Sequence, residues 1–305
     1  MSSQPPLSLT QTFTHKTPTH SLTIKWTSLG SPISPPLIFI HGTPWSSLVW
    51  HALATALSHT YHVYIFDNPG FGSSPLESRI PDTEFAPRDA VQALDADLAR
   101  QSAAFAALFK SWEADWKGRS PHVVAHDHGG LMSLRALLLH GCVYASLCLV
   151  DVVAIGPFGT PLFSRASADP GAFEALDDDV FAGMVEGYIR DAAATELDSD
   201  VMDALKEPWT GRGEDGKKGF VRQLCQAGAR SVAEVEGRYK EVGERVRVKI
   251  IWGKEDRWIP VETAERLGEV LGAREVVLVE GAGHLVMYDQ PGVLGDEIAR
   301  WLGEK

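Results

Sequence analysis

Short blocks of consecutive apolar residues alternate along this chain with longer amphipathic stretches. Ser21–Thr27 alternates polar with apolar side chains, as a half-exposed strand does. Leu37–Ile40 and Val63–Phe66 are dense β-branched and aromatic runs, which suit central strands buried on both faces. His122–Ala125, Leu147–Val152, Val248–Trp252 and Glu275–Val279 read as further strands. Leu48–Leu57, Arg88–Phe109, Leu131–Leu139, Val261–Leu271 and Val293–Leu302 have helical spacing. Strands alternating with helices of this length predict right-handed βαβ units and a mostly parallel α/β sheet. In such sheets the chemistry gathers at the carboxyl ends of the strands.

One region breaks the rhythm. From 156 to 243 the chain holds helical patches, Pro/Gly turns and acidic runs such as Asp177-Asp178-Asp179, with no strand pattern. The predicted organisation is therefore a core over 1–155, an inserted helical cap over 156–243, and the rest of the core over 244–305.

The 305 residues, 44% hydrophobic and 22% charged, suffice for one large domain with an insertion. A net charge of -12 opposes a nucleic-acid partner, which would require clustered Lys and Arg. The opening MSSQPPLSLTQTF lacks a basic start followed by an apolar run. No segment approaches the ~20 apolar residues of a membrane span. These features predict a cytoplasmic protein without a membrane partner. Cys142, Cys148 and Cys225 have no metal-like spacing and are expected to be reduced thiols.

The chemistry centres on Val123-Val124-Ala125-His126-Asp127-His128-Gly129-Gly130, where an apolar strand gives way to an acid, two glycines and a helix. A sharp strand-to-helix turn of this kind needs small residues and lifts its middle side chain above the sheet edge. The alternative role for Asp127 is to cap the helix. His41-Gly42-Thr43-Pro44 follows another strand and aims the Thr43 N–H at the space above Asp127; with the His128 N–H it would form an oxyanion hole. Asp256 and His284 each stand just after a late strand. Asp67–Ser74 is a Gly/Pro loop with an expected structural role. His126-Asp127-His128 has no second ligand cluster, so neither a metal nor another cofactor is expected.

The ordered motifs HGTP, DNPGFGSS, HDHGG, GKEDRWIP and GAGH resemble the α/β-hydrolase superfamily over almost the whole chain. They look most like its Asp-nucleophile branch, which holds epoxide hydrolases and haloalkane dehalogenases. The resemblance makes Asp127 the nucleophile, His284 the base and Asp256 the acid that orients it. Asp151, just after Leu147–Val150, occupies the other place where relatives put that acid.

A carboxylate is ionised near pH 7 without help from a base, and the following helix favours its charge. Its attack on an ester would yield a high-energy anhydride; its attack on a saturated carbon bearing a leaving group yields an ordinary ester that water can cleave. The expected partner is therefore a small apolar electrophile, an epoxide first and an alkyl halide second. Dehalogenases of this group resemble one another in a Trp after the nucleophile, where this chain has His128. Epoxide hydrolases resemble one another in two cap tyrosines; the cap offers Tyr188 and, near its end, Tyr239. Trp45 and Trp258 flank the catalytic loops and are expected to wall the pocket. Acid–base chemistry without a covalent step, or ligand binding alone, are the remaining readings on the same fold.

Overall fold

The computed structural model describes residues 7–80, 97–156, 161–225 and 229–304. Its strands are β1 (Gln11–Lys16), β2 (His20–Leu29), β3 (Pro36–Ile40), β4 (His62–Asp67), β5 (Ser78–Arg79), β6 (His122–His126), β7 (Ser146–Val150), β8 (Arg247–Gly253) and β9 (Glu275–Val279). They form one sheet in the order β1-β2-β4-β3-β6-β7-β8-β9, with β5 beside β2. The pairs involving β2 are antiparallel, and every pair from β4 to β9 is parallel.

Helices α1 (His51–Leu57), α2 (Leu98–Trp112) and α3 (His128–Leu139) belong to the first part of the chain. Between β7 and β8 lie α4 (Pro161–Ala168), α5 (Pro170–Glu174), α6 (Asp178–Ala192), α7 (Ser199–Thr210), α8 (Gly213–Leu224), α9 (Ala229–Ala233) and α10 (Lys240–Arg245). The chain closes with α11 (Glu262–Leu271), α12 (Val286–Asp289) and α13 (Pro291–Gly303). Among the described residues no helix is long and apolar enough to cross a membrane.

The period-2 alternation of the central strands divides the core in two. Ile38, Ile40, Val123 and Ala125 pack with residues of α2, α3, α10 and α11. Leu37, Phe39, Val124 and Cys148 pack on the other face with α1 and α13, in a cluster that runs on into Phe163, Val185 and Phe220 of the inserted helices. Arg222 on α8 is buried and paired with Glu77, its Nε donating to Glu77 Oε1 at 2.8 Å, so α8 is tied to the chain after β4 by charge as well as packing.

Two expectations need correction. The strand expected over Leu147–Val152 ends at Val150, because Asp151 turns into a positive φ of 43°. Strand β1 was not foreseen, since QTFTHK has a single apolar residue, Phe13, and is mostly exposed at the sheet edge. Of the helix expected over Arg88–Phe109, the residues before 97 lie outside the described residues.

Candidate active site

Strand β6 ends at His126 and α3 begins at His128, so the whole reversal falls on Asp127, which adopts φ 51° and ψ -129°. For a residue with a Cβ this backbone state costs about 1–3 kcal/mol and persists only where the surroundings impose it. They do. Asp127 N–H donates to Val150 O, and Asp127 O accepts from the N–H groups of both Gly130 and Val153. A Cβ at position 129 would stand 2.7 Å from His41 O, and one at 130 would stand 2.4 Å from Val152 Cβ. Only glycine lets α3 start this close to the neighbouring loops.

The Asp127 carboxylate is buried but exposed to chemistry on both oxygens. Its Oδ1 accepts the Thr43 backbone N–H at 2.6 Å. Its Oδ2 faces His284 Nε2 at 3.2 Å, and His284 Nδ1 donates to Asp256 Oδ2 at 2.9 Å. Asp256 is itself held in place, its Oδ1 accepting the N–H groups of Trp258 and Ile259 at 2.7 and 3.0 Å. Burial alone would push the Asp127 carboxyl up; His128 and then His284 outweigh it and hold the group well below the usual carboxylate range. Burial also works against a charged His284, but the Asp256 carboxylate and then the Asp127 contact push that imidazole up to about 10. At neutral pH the resting site is thus an imidazolium between two carboxylates.

Asp151 does not touch the imidazole through any hydrogen bond. It is fully buried; Oδ1 accepts the Gly253 N–H at 2.8 Å and Oδ2 has no partner. Burial, and then the nearby Asp256, raise its carboxyl well above the ordinary value, which favours the protonated form. Of the two candidates, Asp256 is the one in contact with His284.

The loops around these groups are pinned to one another. His41 Nε2 accepts the Asn68 N–H at 2.9 Å, and Asp67 accepts the N–H groups of Ser47 and Ser73, so the Gly/Pro loop after β4 braces the loop after β3. His126 lies behind the elbow: its Nε2 donates to His284 O at 2.9 Å, and burial, helped by His284, pushes its ring down to about 3. Asp289 was not singled out from the sequence, yet it clamps the His284 loop, accepting from Gly283 N–H and from Ala194 N–H at 2.9 Å each. It sits on an isolated turn of helix, with no motif to mark it.

Asp127 and His128 open onto a cavity of about 110 Å³. Its other walls include Val153, Ile155, Phe163, Tyr188 and Trp258. Trp258 stacks between Tyr188 (ring centroids 4.3 Å apart) and Trp45 (5.8 Å), so Trp45 backs the cavity wall and does not line it. The Tyr188 hydroxyl is buried with no hydrogen-bond partner, and burial, then the charge of Asp127, raise it well above the ordinary phenol range. Tyr239 is elsewhere: it packs in the opposite core cluster, and its hydroxyl donates to Ala154 O at 2.5 Å. Among the described residues no group of three or more His, Cys, Asp or Glu side chains is arranged to hold a metal. The three cysteines are free, and burial pushes the Cys142 and Cys148 thiols up to about 12.

Known proteins share this architecture. A solved α/β hydrolase fold protein from Burkholderia ambifaria is 34% identical, with a TM-score of 0.83 over 96% of this chain and 98% of that one. A mutant of the haloalkane dehalogenase DatA from Agrobacterium tumefaciens superposes with a TM-score of 0.75 at 17% identity, covering 96% and 97% of the two chains, and shares the fold. The pimeloyl-acyl-carrier-protein methyl ester esterase of Vibrio atlanticus is 22% identical over 276 residues, 86% of this chain and 91% of its own length. Its counterpart from Aeromonas hydrophila is 41% identical over 46 residues only, 15% of this chain and 18% of that protein. The model of the alpha/beta hydrolase family matches residues 37–297, and the chain belongs to that family.

Proposed function

We propose that this hydrolase acts on a small apolar electrophile through a covalent ester of Asp127, and that an epoxide is the preferred electrophile. The observation that carries the reading is the Asp127 carboxylate itself. It stands on a strained elbow, with Oδ1 on the Thr43 N–H and Oδ2 3.2 Å from His284, and it opens into a small, largely apolar cavity.

Asp127 Oδ2 attacks a ring carbon and the carbon–oxygen bond breaks onto the oxygen, which takes a proton from the Tyr188 hydroxyl. The tyrosinate recovers that proton from the His284 imidazolium, directly or through water. Alkylation has removed the Asp127 charge, one of the influences that kept His284 protonated, so losing the proton becomes easier. Neutral His284, oriented by Asp256, then takes a proton from water as the water oxygen adds to the ester carbon. The negative oxygen that develops on Asp127 is received by the Thr43 N–H and by the backbone N–H of His128. Collapse breaks the ester carbon–oxygen bond, the second proton of the added water passes to the departing oxygen, and the diol leaves a carboxylate facing an imidazolium. The Vibrio relative is named for a methyl ester, but an ester substrate would convert this carboxylate into an anhydride, which speaks against the same reaction at Asp127.

An alkyl halide is the second reading, since the nucleophile and the water-activating pair would serve it equally; what favours the epoxide is the buried Tyr188 hydroxyl, a proton source that a departing halide does not need. Intact-protein mass spectrometry of the His284→Gln variant treated with butylene oxide tests the covalent route. An adduct of one epoxide mass, absent from the Asp127→Asn variant, is expected. Turnover of the epoxide by wild type with no adduct in the variant would refute it.

A further inference from the structure

The cavity holds a second side-chain donor that the mechanism above leaves idle. His128 Nδ1 is buried and has no hydrogen-bond partner, although it lies only 3.5 Å from Asp127 Oδ1. Burial lowers the pKa of this ring below its usual value, with Asp127 opposing, and even the neutral ring carries one N–H. That hydrogen belongs on Nδ1, because a lone pair turned toward the carboxylate would repel it. The Tyr188 hydroxyl is likewise buried and unpartnered in the same cavity. Phe163 packs near both rings, with centroids 6.2 Å from His128 and 6.3 Å from Tyr188. A folded protein rarely leaves two donors unsatisfied in one small void, and such groups are expected to meet a ligand atom there.

Resting on the hydrolase reading above, we propose that the His128 side chain is a catalytic residue that donates its N–H to the leaving oxygen while Tyr188 supplies the proton, and that the electrophile is an epoxide with one short apolar substituent. The hydrogen bond stabilises the negative charge that builds on the oxygen as the carbon–oxygen bond breaks, and His128 keeps its own proton throughout. The size limit follows from the cavity: at about 110 Å³ it is smaller than the ~150 Å³ void that accommodates benzene. The part of the electrophile held beside Asp127 is therefore at most roughly six non-hydrogen atoms, and a long substituent has to leave the cavity.

The test uses the full-length protein with His284→Gln as background, so that only alkylation is timed. Adding His128→Phe keeps a flat ring without a donor, and adding His128→Asn places an amide N–H close to the Nδ1 position. With butylene oxide, the Phe variant should form the mass adduct about a hundredfold more slowly, the loss typical of one donor to a developing oxyanion. The Asn variant should recover to within about tenfold of the background rate. Equal slowing in both, or no slowing in the Phe variant at an unchanged melting temperature, would overturn the role of the N–H. Dodecene oxide should alkylate at least about tenfold more slowly than butylene oxide; equal rates would overturn the size limit. Absence of any adduct in the background itself would instead bring down the covalent hydrolase reading, and this inference with it.

Discussion

A Cβ at position 42 would stand 2.2 Å from Asp127 Oδ1, so Gly42 and the elbow carboxylate share space that has no room for a methyl group. The same oxygen is the one that accepts the Thr43 N–H. Gly42→Ala should therefore displace the carboxylate or the loop that carries Thr43. A misplacement near 1 Å costs about a hundredfold in rate, whereas overpacking at one site costs only about 1–3 kcal/mol of stability. Single-turnover kinetics beside urea denaturation would separate the two effects; an unchanged rate would mean that this oxygen is not positioned for catalysis.

His284 links stability to pH. Its folded pKa, about 10, lies above the ordinary value of 6.5, so its contribution is complete below pH 6.5 and is lost as pH rises through 10. Asp127 acts in the opposite sense: its depressed pKa contributes above pH 3.8 and is lost as pH falls through the folded value. The difference in urea midpoint between wild type and His284→Gln should shrink steadily from pH 6.5 to pH 10. A difference that stays constant over that window would show that the imidazole is not charged in the resting enzyme.

The two acids near His284 should respond differently to amidation. Asp256→Asn removes the acceptor on Nδ1 and allows the wrong tautomer, so cleavage of the alkyl-enzyme should slow by about 10³–10⁴-fold. Burial biases the Asp151 carboxyl toward its neutral form, and its Oδ1 needs only to accept one backbone N–H. Asn also tolerates its positive φ. Asp151→Asn should thus keep turnover within about threefold of wild type, less than ~1 kcal/mol of transition-state energy. Measured side by side, the reverse ranking would assign the orienting role to Asp151.

The Arg222–Glu77 pair is buried on both sides and joins α8 to the chain after β4. Arg222→Met would leave Glu77 as an uncompensated buried charge, which costs about 3–5 kcal/mol. Arg222→Met combined with Glu77→Leu should regain most of that loss, because two apolar groups leave no charge stranded. Chemical denaturation of the three proteins checks this; a single-variant loss below about 1 kcal/mol would show the pair to be stabilising little.

The centre of the parallel sheet was readable because its strands are buried on both faces, so each one appears as a run of apolar residues. Leu37–Ile40 and Val63–Phe66 fall inside observed strands for that reason. Strand β1 was not readable, since an edge strand needs no continuous apolar pattern. The elbow at Asp127 was legible from its two following glycines, and the structure attaches a steric reason to each. By sequence, Trp45 was an expected pocket wall beside Trp258, and Tyr188 and Tyr239 were the two tyrosines of the cap region. The fold separated them: Trp45 went behind Trp258, Tyr188 onto the cavity wall and Tyr239 into the opposite core cluster.

Local chain chemistry, then, dictated the βαβ alternation, the elbow and the order of the loops that carry Thr43, Asp127, Asp256 and His284, because each depends on residues close together along the backbone. Contacts between distant segments decided the rest. Only the tertiary arrangement chose Asp256 over Asp151 as the partner of His284, clamped the His284 loop with Asp289, and left the donors of His128 and Tyr188 unsatisfied in one cavity. The choice of an acid depends on a distance across two strand ends, and an unsatisfied donor is defined by everything that surrounds it; neither quantity is encoded in a residue's immediate neighbours.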